Sequence, residues 1–270
     1  IALRAARKAG EIIARATEQV DLLDVSEKGV NDFVTEIDTA AEKEVIYHIS
    51  KAHPDHGFLG EEGGQQGNPD SDYQWIIDPL DGTKEFVKGT GEFTVNIALV
   101  QQGYPALGLV YAPVLETLYV GEIGQGAWKQ TGEVKRESIS VGIAQIEAPI
   151  FVASKDHAGP AVAKLLAQHS HAKTRSMGSS LKFCLLAEGG ADVYLRDLPT
   201  MEWDTAAAHA VVKAAGGEVF HFDPDYPPLD YATENKSLRV LIYNKENLLN
   251  PFFVVSGLSA SVSTTVSEQL

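Results

Sequence analysis

The residues best equipped for chemistry are carboxylates crowded into one stretch of the 270-residue chain. Between Glu61 and Glu92 stand Glu61, Glu62, Asp70, Asp72, Asp78, Asp81, Glu85 and Glu92, opposed only by Lys84 and Lys88. Eight acids against two bases leave a local charge of −6. Asp70 and Asp72 lie in a Gly/Pro/Ser loop and read as solvated surface. Asp78 and Asp81 read differently. They end the apolar strand Trp75-Ile76-Ile77, where Pro79, Gly82 and Thr83 make a sharp turn. A strand end followed by such a turn fixes backbone direction, so both carboxylates and the Leu80 carbonyl can converge on one point. Converging carboxylates repel unless a cation sits between them. Oxygen donors without His or Cys point to a hard cation, Mg²⁺ ahead of Zn²⁺, and Mg²⁺ is often completed by substrate phosphate. Glu61, at the end of another short strand, and Asp204, at the head of a helix after Trp203, offer more oxygen ligands. Asp204 suits an N-cap equally well, and the same helix N-terminus attracts anions.

These groups need elements to hold them. The first stretch reads as helix, with Leu3, Ala6, Ile13 and Ala14 near helical spacing. Gly29, Asn31 and Asp32 break the pattern, and a second helix is expected from about Asp38 to Lys51, stopped by Pro54. Short strands are expected at Phe58-Leu59, Trp75 to Ile77, Phe93 to Val100, Leu107 to Tyr111 and Thr117 to Val120, the third with clear period-2 alternation. Past the polar stretch Lys135 to Glu147 the rhythm changes. Strands at Ile150 to Ala153, Val193 to Leu195, Val219-Phe220 and Leu238 to Tyr243 alternate with helices at Ala161 to His169, Leu181 to Ala187 and Thr205 to Ala215. An N-terminal α+β domain (1–145) and a C-terminal α/β domain (146–255) follow. The Ser/Thr/Val-rich segment 256–270 is expected to be a disordered tail.

Composition narrows the function classes. With 22 Lys+Arg against 37 Asp+Glu the formal charge is −15, against a nucleic-acid surface but compatible with a phosphorylated small molecule bridged by cations. No apolar run approaches the roughly 20 residues of a membrane helix, and no export signal is visible. The single cysteine, Cys184, excludes an internal disulfide, fits a reducing cytoplasm and reads as core. The expectation is a cytoplasmic protein, monomer or homodimer, with peripheral membrane association left open.

Three separated motifs carry a resemblance. Trp75-Ile76-Ile77-Asp78-Pro79-Leu80-Asp81-Gly82-Thr83, the upstream Gly60-Glu61-Glu62 and the downstream Trp203-Asp204-Thr205-Ala206-Ala207 resemble signatures of the inositol monophosphatase superfamily, Mg²⁺-dependent, lithium-sensitive phosphatases of sugars and nucleotides. The resemblance covers about residues 1–245. It implies a layered α-β-α-β-α sandwich, two or three Mg²⁺ ions, and metal ligation by Glu61, Asp78, the Leu80 carbonyl, Asp81 and Asp204. It further implies that Asp38, last acid of Asp32-Phe33-Val34-Thr35-Glu36-Ile37-Asp38, works with the Thr83 hydroxyl to activate the attacking water. Helix capping is the bland alternative for Asp38 and Thr35. Glu62 would support the site or a third metal. Mg²⁺ would neutralise the ester and acidify the attacking water.

Lys84-Glu85-Phe86, Val110-Tyr111-Ala112-Pro113, Ser154-Lys155-Asp156-His157 and Ser176 to Cys184 look like the bacterial 3′(2′),5′-bisphosphate nucleotidase branch, which implies removal of the 3′-phosphate of adenosine 3′,5′-bisphosphate. Physically these segments suit a second anion site. Gly178-Ser179-Ser180 open a helix with free N–H groups, Lys182 lies one turn in, and Arg196 offers a forked donor. The bland alternatives are an N-cap for Ser179 and a solvated Lys182. Gly82, Thr83 and Asp204, with Ser154 and His157, complete the expected substrate contacts. The chain before about Glu62 looks more like the inositol branch, and Asp197 stands near that branch's sugar-binding acid, which keeps inositol phosphate or another sugar phosphate open as substrate. A non-catalytic regulator on the same fold is the alternative from another class.

Overall fold

The computed structural model describes residues 1–20, 27–142, 148–153, 159–223, 230–231 and 238–257. Two helices open the chain, α1 (Ala2–Val20) and α2 (Glu27–Ser50). An eight-stranded sheet follows: β1 (Gly57–Gly60), β2 (Gly64–Gly67), β3 (Tyr73–Asp81), β4 (Thr94–Gln101), β5 (Tyr104–Ala112), β6 (Thr117–Glu122), β7 (Gly126–Thr131) and β8 (Glu137–Ile139), with α3 (Thr83–Val87) after β3. Its order is β2-β1-β3-β4-β5-β6-β7-β8. The second half forms β9 (Ile150–Ala153), α4 (Pro160–Gln168), β10 (Lys173–Ser176), α5 (Leu181–Ala187), β11 (Val193–Arg196), α6 (Ala206–Ala214), β12 (Gly217–His221) and β13 (Phe253–Gly257). Its five strands run in the order β10-β9-β11-β13-β12.

Alternation on the central strands decides the layering. Trp75, Ile77, Val95, Ile97, Leu109, Leu118 and Val120 pack beneath α1 and α2. Their neighbours Ile76, Ala98, Val110 and Tyr119 face the opposite way, against α5, α6 and the inner face of the second sheet. The outer face of that sheet, with Phe151, Val193 and Val254, is covered by Val162 and Leu165 of α4. The stack is therefore α1/α2, sheet, α5/α6, sheet, α4, the five-layer α-β-α-β-α arrangement expected.

The middle layer is thin because α6 lies almost on the first sheet. A Cβ at Gly108 would stand 2.0 Å from the Ala207 carbonyl oxygen, and one at Gly121 2.5 Å from Val211 Cα. Only glycine permits that approach, which brings the N-terminal end of α6 to the end of β3.

Several elements differ from the sequence reading. The second helix begins at Glu27 and runs through Gly29 and Asn31. Their unfavourable propensity, about 1 kcal/mol for Gly, does not stop a helix of 24 residues. Thr35 and Asp38 thus sit inside α2, where neither caps its start. The stretch Leu238 to Tyr243 forms only a bridge, Val240 to Phe220. The last strand is instead β13, paired antiparallel to both β11 and β12. It includes Ser256 and Gly257, which the reading assigned to a tail; a buried strand is a short apolar run without alternation, and Phe252 to Val255 is such a run. Residues 258–270 lie outside the described residues.

Candidate active site

The site begins with a break in β3. Asp78 pairs with Asn96 and Asp81 with Thr94, so Pro79 and Leu80 together oppose the single residue Val95. This bulge turns the strand end and places Asp78 and Asp81 on one side of it. Asp78 is 1% exposed, and its Oδ1 accepts the Leu80 N–H (3.0 Å). Gly82 follows at φ +94°, the left-handed region, with Ser179 Cβ and Phe93 Cβ each 3.3 Å or nearer to a built Cβ. Glycine alone lets the chain turn there into α3, whose first residue is the exposed Thr83.

Asp204 arrives from the other half of the chain. Its Oδ2 accepts the Met201 N–H (2.7 Å), whereas α6 is preceded by Thr205 and has no side-chain cap. The N-cap alternative for Asp204 is thereby removed. Carboxylate oxygens of Asp78, Asp81 and Asp204 all lie within 4.8 Å of one another. Glu61 stands at the mouth, its N–H on the Ile77 carbonyl (3.1 Å) and its carboxyl hydrogen-bonded to Asp78. α2 supplies two acids at i, i+4 on its buried stripe, Asp38 and Glu42. Glu42 accepts the N–H groups of Glu62 (3.0 Å) and Gly63 (2.8 Å), holding the turn that carries Glu61. Glu62 is exposed and accepts the Thr39 hydroxyl (3.5 Å).

Electrostatically this is a frustrated cluster. Burial, then Asp81, Glu61, Asp204 and Asp38, pushes the Asp78 carboxyl far above its ordinary range. Glu61 is raised to about 7 by burial and then Asp204, and Asp204 to about 7 by burial and then Asp81. Asp38 reaches about 8, by burial first and the charges of Glu62, Glu61 and Glu42 after it. Its Oδ1 is buried without a hydrogen-bond partner. Four acids held above their normal range, one with an orphaned oxygen, and a donor set made only of oxygen together fit divalent hard cations. Among the described residues no hydrogen bond joins Asp38 to Thr83.

A cleft of ≈ 190 Å³ opens from the carboxylates toward the second sheet, lined by Asp81, Gly82, Ser179, Lys182, Arg196 and Asp204 among others. Lys182 is not solvated: it is 9% exposed, its Nζ near the Met177 carbonyl (3.4 Å), and burial lowers its pKa against the pull of Asp81. Arg196, at the end of β11, keeps a buried Nε without a partner. Two of the three N–H groups expected to be free before α5 are not. Gly178 donates to Glu92 Oε2 (2.9 Å) and Ser180 to Asp81 Oδ2 (2.6 Å). Ser179 holds a left-handed φ of 46° and does not cap α5, whose N-cap position is Ser180. Ser154 and His157 lie outside the described residues.

Sequence reasoning missed the buried network that joins the halves. The Thr94 hydroxyl donates to Asn96 Oδ1 (3.1 Å) and shares a second hydrogen bond with the Ser179 hydroxyl (3.3 Å), which is free to donate. Asn96 donates to Ser180 Oγ (2.9 Å) and, more weakly, to Asp81 Oδ2 (3.4 Å), and Ser180 Oγ donates to the Asp204 carbonyl (3.2 Å). The signal was visible: Thr94 and Asn96 are polar on a strand whose apolar flanks mark it as buried on both faces. Asp197, the candidate sugar contact, instead accepts the Ala161 (2.6 Å) and Val162 (3.2 Å) N–H groups at the start of α4.

A five-layer stack whose cleft is lined by cage carboxylates, a buried Lys182 and a half-buried Arg196 defines a metal-dependent enzyme for anionic substrates. The sequence matches the inositol monophosphatase family over residues 1–250, and the chain belongs to that family. It is 41% identical over 253 residues to the 3′(2′),5′-bisphosphate nucleotidase CysQ of Escherichia coli K12, covering 93% of this chain and 96% of the relative. It is 37% identical over 226 residues to the Nus factor SuhB of Haemophilus influenzae, covering 83% and 84%. The crystal structure of CysQ from Bacteroides thetaiotaomicron superposes with a TM-score of 0.77 at 38% identity, over 96% of both chains. No described helix is long and apolar enough to cross a membrane.

Proposed function

We propose that the chain is a Mg²⁺-dependent, cytoplasmic 3′(2′),5′-bisphosphate nucleotidase that removes the 3′-phosphate of adenosine 3′,5′-bisphosphate, giving AMP and phosphate. The observation that carries this reading is a cleft of ≈ 190 Å³ lined both by the cage carboxylates Asp81 and Asp204 and by the cations Lys182 and Arg196. A substrate with two phosphates can engage both the cage and the cations, whereas a monophosphate engages the cage alone. Identity to bisphosphate nucleotidases over 93% of the chain supports the same assignment.

Glu61, Asp78, Asp81, Asp204 and the Leu80 carbonyl would hold two or three Mg²⁺ ions, which supply charge neutralisation for the ester and acidify the attacking water. Asp38 is the proton acceptor: it is buried and has an unused oxygen, so it can orient a water and, once cations in the cage offset the acid charges that hold its carboxyl up to about 8, accept that water's proton. Thr83, exposed at the head of α3, would help orient the same water. Lys182 and Arg196 bind the phosphate that stays, and Gly82, which has no side chain, leaves room beside it. Asp197 is occupied as a helix cap, which weakens the inositol phosphate alternative.

The test is kcat/KM on adenosine 3′,5′-bisphosphate and on myo-inositol 1-phosphate at saturating Mg²⁺. The bisphosphate should lead by about tenfold or more, since one charged hydrogen bond is worth about 1.5–3 kcal/mol. Lys182→Ala should raise KM for the bisphosphate and leave the monophosphate nearly untouched. Preference for the inositol ester, or equal effects of the substitution, would refute the assignment.

A further inference from the structure

Asp204 is carried by a loop with no regular structure of its own, yet it must present an oxygen to the cage. The loop is held from a segment more than forty residues downstream. Glu202, 0% exposed, accepts the N–H groups of Asn244 (2.8 Å) and Lys245 (3.0 Å) and the Lys245 ammonium (2.6 Å). Asn244 is in the left-handed region at φ 59°, which lets two successive amides point at one carboxylate. Asn250, 3% exposed, donates from Nδ2 to the Met201 carbonyl (2.6 Å) and Thr205 Oγ1 (2.9 Å), while its Oδ1 lies near Lys245 Nζ (3.4 Å). Met201 in turn donates its N–H to Asp204 Oδ2. Lys245 thus reaches Asp204 through hydrogen bonds to Glu202 and Asn250, the Met201 residue they hold, and the Met201 N–H on Asp204.

From this geometry we infer that Glu202, Lys245 and Asn250 form a latch whose task is to aim the Asp204 carboxylate into the cage. The inference rests on the metal-dependent reading above. The latch fixes one oxygen of Asp204 on Met201 and so leaves the other for the cation. Lys245 is a positioning residue: it meets neither cation nor substrate, and it acts through Glu202. A like-charge cage pushes its members apart, so in the metal-free protein something else must hold Asp204 close to Asp78 and Asp81. With only Thr205 between them, α6 fixes the Asp204 backbone, and the downstream anchor fixes the Met201 amide that aims its carboxylate.

The experiment is Mg²⁺ titration calorimetry on metal-free wild type, Lys245→Met and Glu202→Gln, with thermal unfolding in parallel. Glu188→Gln is the control: it breaks another Lys–Glu pair, Lys129–Glu188 (2.7 Å), at the far end of α5. Both latch variants should raise the Mg²⁺ Kd by about tenfold or more, the usual effect of losing a group that orients a metal ligand. Excess Mg²⁺ should restore most of their activity. The control should lose stability with its Kd unchanged. Lys245→Met keeps the backbone donors to Glu202, so it tests the latch even if Glu202→Gln fails to fold. A Lys245→Met protein with lowered stability and wild-type Kd overturns the latch alone, as does a control whose Kd rises equally. Wild type that binds no Mg²⁺ overturns the latch and the metal-dependent reading together.

Discussion

Replacing Asp38 by Asn should destroy activity and, in the metal-free protein, increase stability. Asp38 is 8% exposed and its carboxyl is pushed from 3.8 to about 8. The folded state therefore binds this proton more tightly than the unfolded chain does, and stability falls as pH rises from about 4 to about 8. A displacement of about four units, at about 1.4 kcal/mol per unit, sets a ceiling of about 6 kcal/mol at pH 8. Water entry and the partial protonation of Glu61, itself raised to about 7, reduce it, so a gain of about 1–3 kcal/mol is expected at an effective dielectric of about 20. Asn keeps the shape and never ionises. At pH 5 the ceiling is only about 2 kcal/mol, because the span from 3.8 to 5 alone counts. The assay is urea unfolding in EDTA at pH 5 and pH 8, with kcat measured in Mg²⁺. Activity should fall by about 10²–10⁴-fold, the contribution of a positioned base. A variant no more stable than wild type at pH 8, or equally favoured at both pH values, would show that the Asp38 charge is not held at a cost.

Mg²⁺ binding at pH 7 should release about one proton from Glu61 and Asp204 together, each near half-protonated. Calorimetry in buffers of different ionisation enthalpy counts it, and the Glu61/Asp204 share should vanish by pH 9. Gly108→Ala drives a methyl into the Ala207 carbonyl and should cost about 1–3 kcal/mol, read by denaturant unfolding. Asp197→Ala removes the acceptor at the start of α4 and should cost about 1–2 kcal/mol with kcat/KM unchanged on either substrate; a large kinetic effect on the inositol ester would return Asp197 to the substrate site.

Much of the chemistry was written in residue order. Acids at 61, 78, 81 and 204 with a Pro/Gly turn between strand and helix sufficed to point to a hard cation, because oxygen donors and turn residues are local properties. The family resemblance singled out Asp38 as the base. Period-2 alternation at Val95, Ile97 and Leu99 placed the core strand for the same reason. What the order could not express were relations between distant segments. Whether Lys182 is solvated or buried depends on α5 packing beneath the second sheet. Asp197 caps α4 instead of meeting a sugar because folding brings the Ala161 amide to it, and a carboxylate satisfied by two N–H groups has no need of another donor. Glu42, Thr94, Asn96 and the Glu202 latch carry no motif. Their importance comes from burial, which makes an unpaired polar group expensive and a paired one directional. Residue types determined which atoms could hold an ion. Only the stacking of two sheets around α5 and α6 decided where those atoms meet, since carboxylates that repel must be pressed together by packing elsewhere in the molecule.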